Sequence, residues 1–207
     1  MCPAPCPRGL RRLYYTLAPK AKLDESSQEV LAAYRQLVTE NAHRKLLIDG
    51  GSVGSYYVVN TILQARDAHL KLPVAAAIST PSTDATGAGD SYVANDGRDL
   101  LVWKNFTQRL TTDHVIVSPG TGLTKPSVSL IQADYSKGFV PSVIATGTRD
   151  LFPSNSVRLH QALKTVHVSA ELLVFEGMWH GFNATPDLPE AEACTTQALD
   201  FLTKYIN

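Results

Sequence analysis

The stretch Leu46-Leu47-Ile48-Asp49-Gly50-Gly51-Ser52-Val53-Gly54-Ser55 limits the fold more than any other part of the chain. A short apolar run breaks into a Gly-x-Ser-x-Gly turn, and the residues from Tyr56 to Leu70 read as a helix. Strand, tight turn and helix in that order hold a serine on a strained bend with its hydroxyl projecting above a sheet. Gly50 and Gly54 then have a mechanical reason to lack side chains, because strand and helix approach closely and the turn asks for unusual φ/ψ. Gly51 completes the same elbow. Taken alone, the pentapeptide fits an ordinary Gly/Ser-rich loop equally well.

The rest of the chain alternates between two patterns. Leu13–Leu17 is a short β-prone run that ends at Pro19. From Asp24 to Glu40, Val30, Leu31, Tyr34, Leu37 and Val38 recur at helical spacing, with Asp24 or Ser26 as the expected N-cap. A strand over Leu46–Ile48 leads through the elbow to a helix reaching Arg66, and Pro73–Ser79 reads as a buried strand. Thr80–Gly122, rich in Ser, Thr, Asp and Gly, reads as loops and short helices, one of them around Leu100–Leu110. A strand over Val140–Ala145 is followed by a helix over Asn155–Thr165, with Val157, Leu159, Leu163 and Val166 as candidate buried positions. A strand over Glu171–Phe175 and a helix over Leu188–Tyr205 complete the series. The strands are continuous apolar runs, which predicts an α/β fold: a mostly parallel sheet with helices on both faces. No repeat or linker divides residues 13–207, and residues 1–12 read as a Pro-rich tail outside the fold.

Composition excludes several functions. With 19 basic and 19 acidic residues the chain is neutral, so it carries no nucleic-acid or anionic-membrane footprint. No apolar run approaches a membrane span, and Met1–Arg12 lacks the apolar segment of a signal peptide. The three cysteines, Cys2, Cys6 and Cys194, give no disulfide framework, so a reducing cytoplasm is expected. Cys2 and Cys6 have a metal-like spacing, but no histidine lies near them in sequence, and a metal there is not expected.

In open α/β sheets, functional groups gather just past the carboxyl ends of the strands. Ser52, Asp150 and His180 each follow a strand-like run, in the chain order Ser, Asp, His. A serine hydroxyl needs a neighbouring base to become a nucleophile. Histidine, which titrates near neutrality, can take that proton and return it to a leaving group. An aspartate fixes the imidazole tautomer and stabilises the imidazolium. Each residue also has a plain structural reading: backbone bonding for Ser52, a helix cap or an Arg149 partner for Asp150, and aromatic packing beside Trp179 for His180.

Five stretches carry a more specific resemblance. They are Tyr15-Thr16-Leu17-Ala18-Pro19, the Gly50–Gly54 elbow, Ser79-Thr80-Pro81-Ser82-Thr83-Asp84, Gly147-Thr148-Arg149-Asp150 and Glu176-Gly177-Met178-Trp179-His180-Gly181-Phe182. In this order they resemble the hormone-sensitive-lipase-like esterases of the α/β-hydrolase fold. The resemblance implies hydrolysis of a small carboxylic ester through an acyl-enzyme on Ser52, with His180 and Asp150 completing a triad and Val53 N–H as one oxyanion donor. It implies no cofactor, no nucleic acid and no stable membrane insertion, and it allows a homodimer. A non-catalytic relative that binds a ligand or a protein in the old acyl pocket is the alternative.

The chain departs from that family in two places. Gly51 precedes the nucleophile where the family has Asp, and Val53-Gly54-Ser55 follows it where the family has Ala-Gly-Gly. The family's His-Gly-Gly oxyanion loop has no counterpart between Met1 and Tyr14. The chain therefore reads as the C-terminal portion of such a hydrolase, and its elbow strand is expected to lack the neighbour it has in the family. Among other residues, Asp84 reads as a turn or cap residue, Trp103 as packing, and Trp179 as packing or a wall of the acyl pocket. Glu176 is a candidate to orient the His180 turn, and His43, His69, His114, His160 and His167 are expected at the surface.

Overall fold

Four strands pair side by side in parallel and in chain order, β1 (Leu47–Gly51), β2 (Ala75–Ser79), β3 (Ser142–Gly147) and β4 (Ala170–Phe175). The structure is a computed structural model, and it describes residues 9–113 and 115–206. Cys2, Cys6 and His114 lie outside the described residues. The first crossover is α2 (Val53–Asp67); the second holds two short helices, α3 (Ser91–Ala94) and α4 (Lys104–Thr112); the third is α5 (Pro153–Thr165). Helix α1 (Leu23–Glu40) precedes β1, and α6 (Pro189–Ile206) follows β4.

The central strands are buried along their whole length, which is why they read as unbroken apolar runs rather than alternating ones. Ala76, Ile78 and Ile144 point to one face, where they meet Val59 and Ile62 of α2 and Leu159 and Leu163 of α5. Ala75, Ala77, Val143 and Ala145 point to the other, against Phe182 and the α6 residues Cys194, Phe201 and Leu202. Helices therefore cover both faces, as the apolar runs predict. Among the described residues β1 forms one edge of the sheet, with Leu47, Asp49 and Gly51 exposed. The elbow strand is thus unpaired, among the described residues, on the side away from β2, the side on which the sequence reading expects no neighbour.

The structure differs from the sequence reading at several places. Leu13–Leu17 forms no strand. The backbone of Thr16 bonds α1 instead: Thr16 N donates to Glu29 Oε2 at 2.7 Å, and Ser26 Oγ donates to Thr16 O at 2.7 Å. With its hydroxyl used there, Ser26 does not cap α1, and Asp24 lies within the first turn. The residue before the helix is Lys22, whose N–H donates to Glu25 Oε2 at 2.8 Å. Strands β1 and β3 both run on to a glycine, Gly51 and Gly147. Val157 faces solvent at 38% exposure, while Leu159 and Leu163 carry the buried face of α5. Among the described residues no helix is long and apolar enough to cross a membrane.

Candidate active site

Ser52 sits between the last residue of β1 and the first of α2 with φ 56° and ψ −124°. A non-glycine residue in that region costs on the order of 1–3 kcal/mol, so its surroundings must hold it there. Ser52 N–H donates to Ser79 O at 3.0 Å. Its carbonyl accepts from Ser55 Oγ and, at 3.4 Å, from Ser82 N, which also donates to Ser55 Oγ at 3.1 Å. The turn is thereby tied to β2 and to the segment after it.

One glycine of the elbow is sterically imposed, not two. A β-carbon on Gly50 would lie 2.5 Å from Gly54 O and 2.8 Å from Val58 Cγ2, so β1 and α2 could not approach as they do. A β-carbon on Gly54 would meet nothing within 4 Å, and one on Gly51 only ordinary contacts at 3.8 Å. Gly54 matters as the backbone that Gly50 admits, which corrects the sequence expectation for that position.

Asp150 and His180 come from the loops after β3 and β4. Those loops touch because Gly147 has no side chain: a β-carbon there would lie 2.2 Å from Met178 O. Arg149 N–H donates to that same carbonyl at 2.9 Å. His180 Nδ1 lies 3.0 Å from Asp150 Oδ1, and His180 Nε2 lies 2.7 Å from Ser52 Oγ. Asp150 is wholly buried and His180 is 5% exposed. The carboxylate also accepts from Thr146 Oγ1 at 3.1 Å and from Phe152 N–H at 3.0 Å. An ionised carboxylate can only accept, so the imidazole proton belongs on Nδ1. The lone pair on Nε2 then faces the Ser52 hydroxyl. The Phe152 ring stands edge-on to the imidazole with centroids 5.0 Å apart, which limits its rotation.

A cavity of about 340 Å³ opens at Ser52. Tyr15, Leu17, Val53, Tyr56, Phe106 and Phe152 contribute to its walls. Burial pushes the hydroxyls of Tyr15 and Tyr56 up to about 12, so both are neutral at ordinary pH. Asp84, also on the wall, accepts at 2.6 Å from Arg158 Nη1 and at 2.9 Å from Thr86 N–H, a turn role as read from the sequence. Val53 N–H belongs to the first turn of α2, whose amides have no partner within the helix and carry the positive end of its dipole. That end points at Ser52. Trp179 is absent from the cavity wall and packs against the α6 face instead, while Trp103 is half exposed beside Phe106. His43, His69 and His167 are exposed, as expected of surface residues, and His160 is partly buried with Nε2 3.3 Å from Ala170 O.

Glu176 is exposed, and a different carboxylate bonds the His180 backbone. Asp99 Oδ2 accepts from His180 N–H at 3.2 Å. Asp99, Asp150 and His180 bring ligand atoms within 4.8 Å of one another, a spacing that could hold a cation. Their bonding capacity is already used, however: Asp99 accepts backbone N–H groups, and His180 Nδ1 faces Asp150. Asp99 and Gly147 carry no role in the sequence reading. Gly147 stands inside a motif quoted for its neighbour Asp150; Asp99 sits in the irregular segment after β2, where nothing in the pattern singles it out.

The family model for the α/β hydrolase fold matches residues 12–184. The chain belongs to the α/β hydrolase fold family. An esterase of Acinetobacter venetianus is 24% identical to it over 196 residues, covering 91% of this chain and 62% of that one. The crystal structure of an esterase named E25 superposes with a TM-score of 0.83 at 29% identity, covering 93% of this chain and 59% of that one. The structure of an esterase from the bacterial hormone-sensitive lipase family gives a TM-score of 0.85 at 25% identity, covering 93% and 64%. These neighbours bear out the resemblance carried by the five motifs. The chain spans about three fifths of the length of each of these relatives.

Proposed function

We propose that this α/β hydrolase cleaves small carboxylic esters through an acyl-enzyme on Ser52. The observation that carries the reading is the chain of contacts from Ser52 Oγ through both ring nitrogens of His180 to Asp150, at 2.7 and 3.0 Å. As Ser52 Oγ attacks the ester carbonyl carbon, its proton passes to His180 Nε2. Asp150 holds the proton on Nδ1 and stabilises the imidazolium. The carbonyl oxygen, now negative, faces Val53 N–H at the N-terminus of α2. When the tetrahedral intermediate collapses, the C–O bond to the alcohol breaks and the alcohol leaves with the proton from Nε2. Water then attacks the acyl-enzyme, giving one proton to Nε2; that proton returns to Ser52 as the carboxylic acid departs.

The mostly apolar walls and the size of the cavity favour an apolar acyl group of modest length. Residues 13–207 act as the catalytic unit in this reading. Turnover of p-nitrophenyl acetate and butyrate by the wild type and by Ser52→Ala tests it. A drop of several orders of magnitude supports the enzyme. Equal rates would favour the non-catalytic ligand-binding alternative.

A further inference from the structure

We propose that Asp99 is a positioning residue that clamps the acid loop and the base loop into register, so that His180 can face Ser52 and Asp150 at once. The inference rests on the triad reading above. Asp99 lies on the segment between α3 and α4, and its carboxylate accepts backbone N–H groups from three separate parts of the chain. Oδ1 accepts from Leu101 at 2.8 Å and from Val102 at 3.2 Å, which fixes the carboxylate on its own loop. Oδ2 accepts from Leu151 at 3.0 Å and from His180 at 3.2 Å. Leu151 directly follows Asp150. One oxygen therefore spans the backbone next to the acid and the backbone of the base itself.

Asn95, four residues earlier at the end of α3, completes the hold on the acid loop with opposite polarity. Its Nδ2 donates to Asp150 O at 2.7 Å and to Thr148 O at 2.9 Å. Beyond a bond that its Oδ1 accepts from Arg98 Nη1 on its own segment, the Asn95 side chain reaches the acid loop, whereas Asp99 joins that loop to His180. The two residues separate the effect of steadying one loop from the effect of coupling two.

An asparagine at position 99 offers one acceptor oxygen and one donor amide. Whichever way it turns, the amide faces two N–H groups, so one pair of bonds is lost at nearly unchanged volume. A misplacement on the order of 1 Å at reacting groups costs about 10²-fold in rate. The test compares the wild type, Asp99→Asn, Asp99→Ala and Asn95→Ala. It follows the His180 Nδ1 proton by NMR on histidine-15N protein, assigned by its absence in His180→Gln, together with kcat and KM for p-nitrophenyl butyrate. We expect the far-downfield Nδ1 signal of the wild type to be lost or displaced in Asp99→Asn and kept in Asn95→Ala. We expect kcat of Asp99→Asn to fall about 10²-fold with KM within about twofold. An unchanged signal and unchanged kcat in both position-99 variants would overturn the clamp. So would loss of the whole fold in Asp99→Asn with Asn95→Ala intact, since that would make Asp99 a structural anchor. If the wild type turns over no ester, the ester-hydrolase reading fails, and the NMR signal still decides the clamp.

Discussion

Ser52 Oγ and His180 Nε2 lie 2.7 Å apart although 128 residues separate them in the chain. The sheet accounts for this closeness. Parallel strands put all their carboxyl ends on one rim, so the residues that follow β1, β3 and β4 emerge together. Asp150 meets the other ring nitrogen, with its Oδ1 3.0 Å from His180 Nδ1.

That arrangement predicts a large effect from a small change at Asp150. Asp150→Asn keeps the volume but turns one carboxylate oxygen into a donor amide and removes the charge that fixes the Nδ1 tautomer and stabilises the imidazolium. Turnover should fall about 10⁴-fold with the melting temperature little changed. Steady-state kinetics beside a thermal melt checks both parts.

The elbow makes a second, purely structural prediction. Gly50→Ala must push a β-carbon into Gly54 O and Val58, which costs about 1–3 kcal/mol as overpacking does elsewhere. Gly54→Ala places a methyl in open space near the start of a helix and should change stability by no more than about 0.5 kcal/mol. Urea unfolding midpoints of the two variants should differ accordingly.

Much of this architecture was legible in the residues, for physical reasons. Buried parallel strands must be apolar on both faces, so Pro73–Ser79 and Val140–Ala145 read as unbroken runs, and the strands form over Ala75–Ser79 and Ser142–Gly147. Ser52, Asp150 and His180 stand out because each lies within a few residues of the carboxyl end of a strand. Gly54 departs from the sequence expectation because a sequence shows which residues lack a side chain but not which side of a contact needs the room. Leu13–Leu17 reads as a strand because β-propensity reports a residue's fit to a half-buried surface, whereas Leu13, Tyr14 and Leu17 are exposed and the Thr16 backbone bonds Glu29 and Ser26 of α1. Asp99 was invisible because its partners are backbone amides, which every residue has.

The Asp84–Arg158 pair makes stability depend on acid. Burial alone would raise the Asp84 pKa, but bonds from Thr86 and the Arg158 guanidinium outweigh it and hold the carboxyl below its ordinary value. A depressed folded-state value means that the contribution is fully present above the ordinary carboxylate range and is lost as pH falls through the folded value. Arg158→Met should cost about 1–3 kcal/mol at pH 7 by leaving the buried carboxylate short of a partner. Below the folded value of Asp84 the gap between variant and wild type should close, as urea titrations across acid pH would show.

Cys194 provides a reporter of the α6 packing. Its thiol is 3% exposed, and burial, with the charge of Asp49 adding to it, pushes its pKa up to about 11. Reaction with a disulfide reagent such as DTNB at pH 8 should be slow for this thiol in the native protein and rapid in denaturant. Comparison with Cys194→Ala isolates its signal from those of Cys2 and Cys6.

The central claim is tested most directly by incubating the protein with a fluorophosphonate and mapping the adduct by mass spectrometry. A reagent of this kind phosphonylates a serine whose proton a neighbouring base can take, with fluoride leaving. The account predicts one adduct, on Ser52, that disappears in His180→Gln. Absence of a Ser52 adduct under conditions that label an intact esterase of the family, or equal labelling with and without His180, would contradict it.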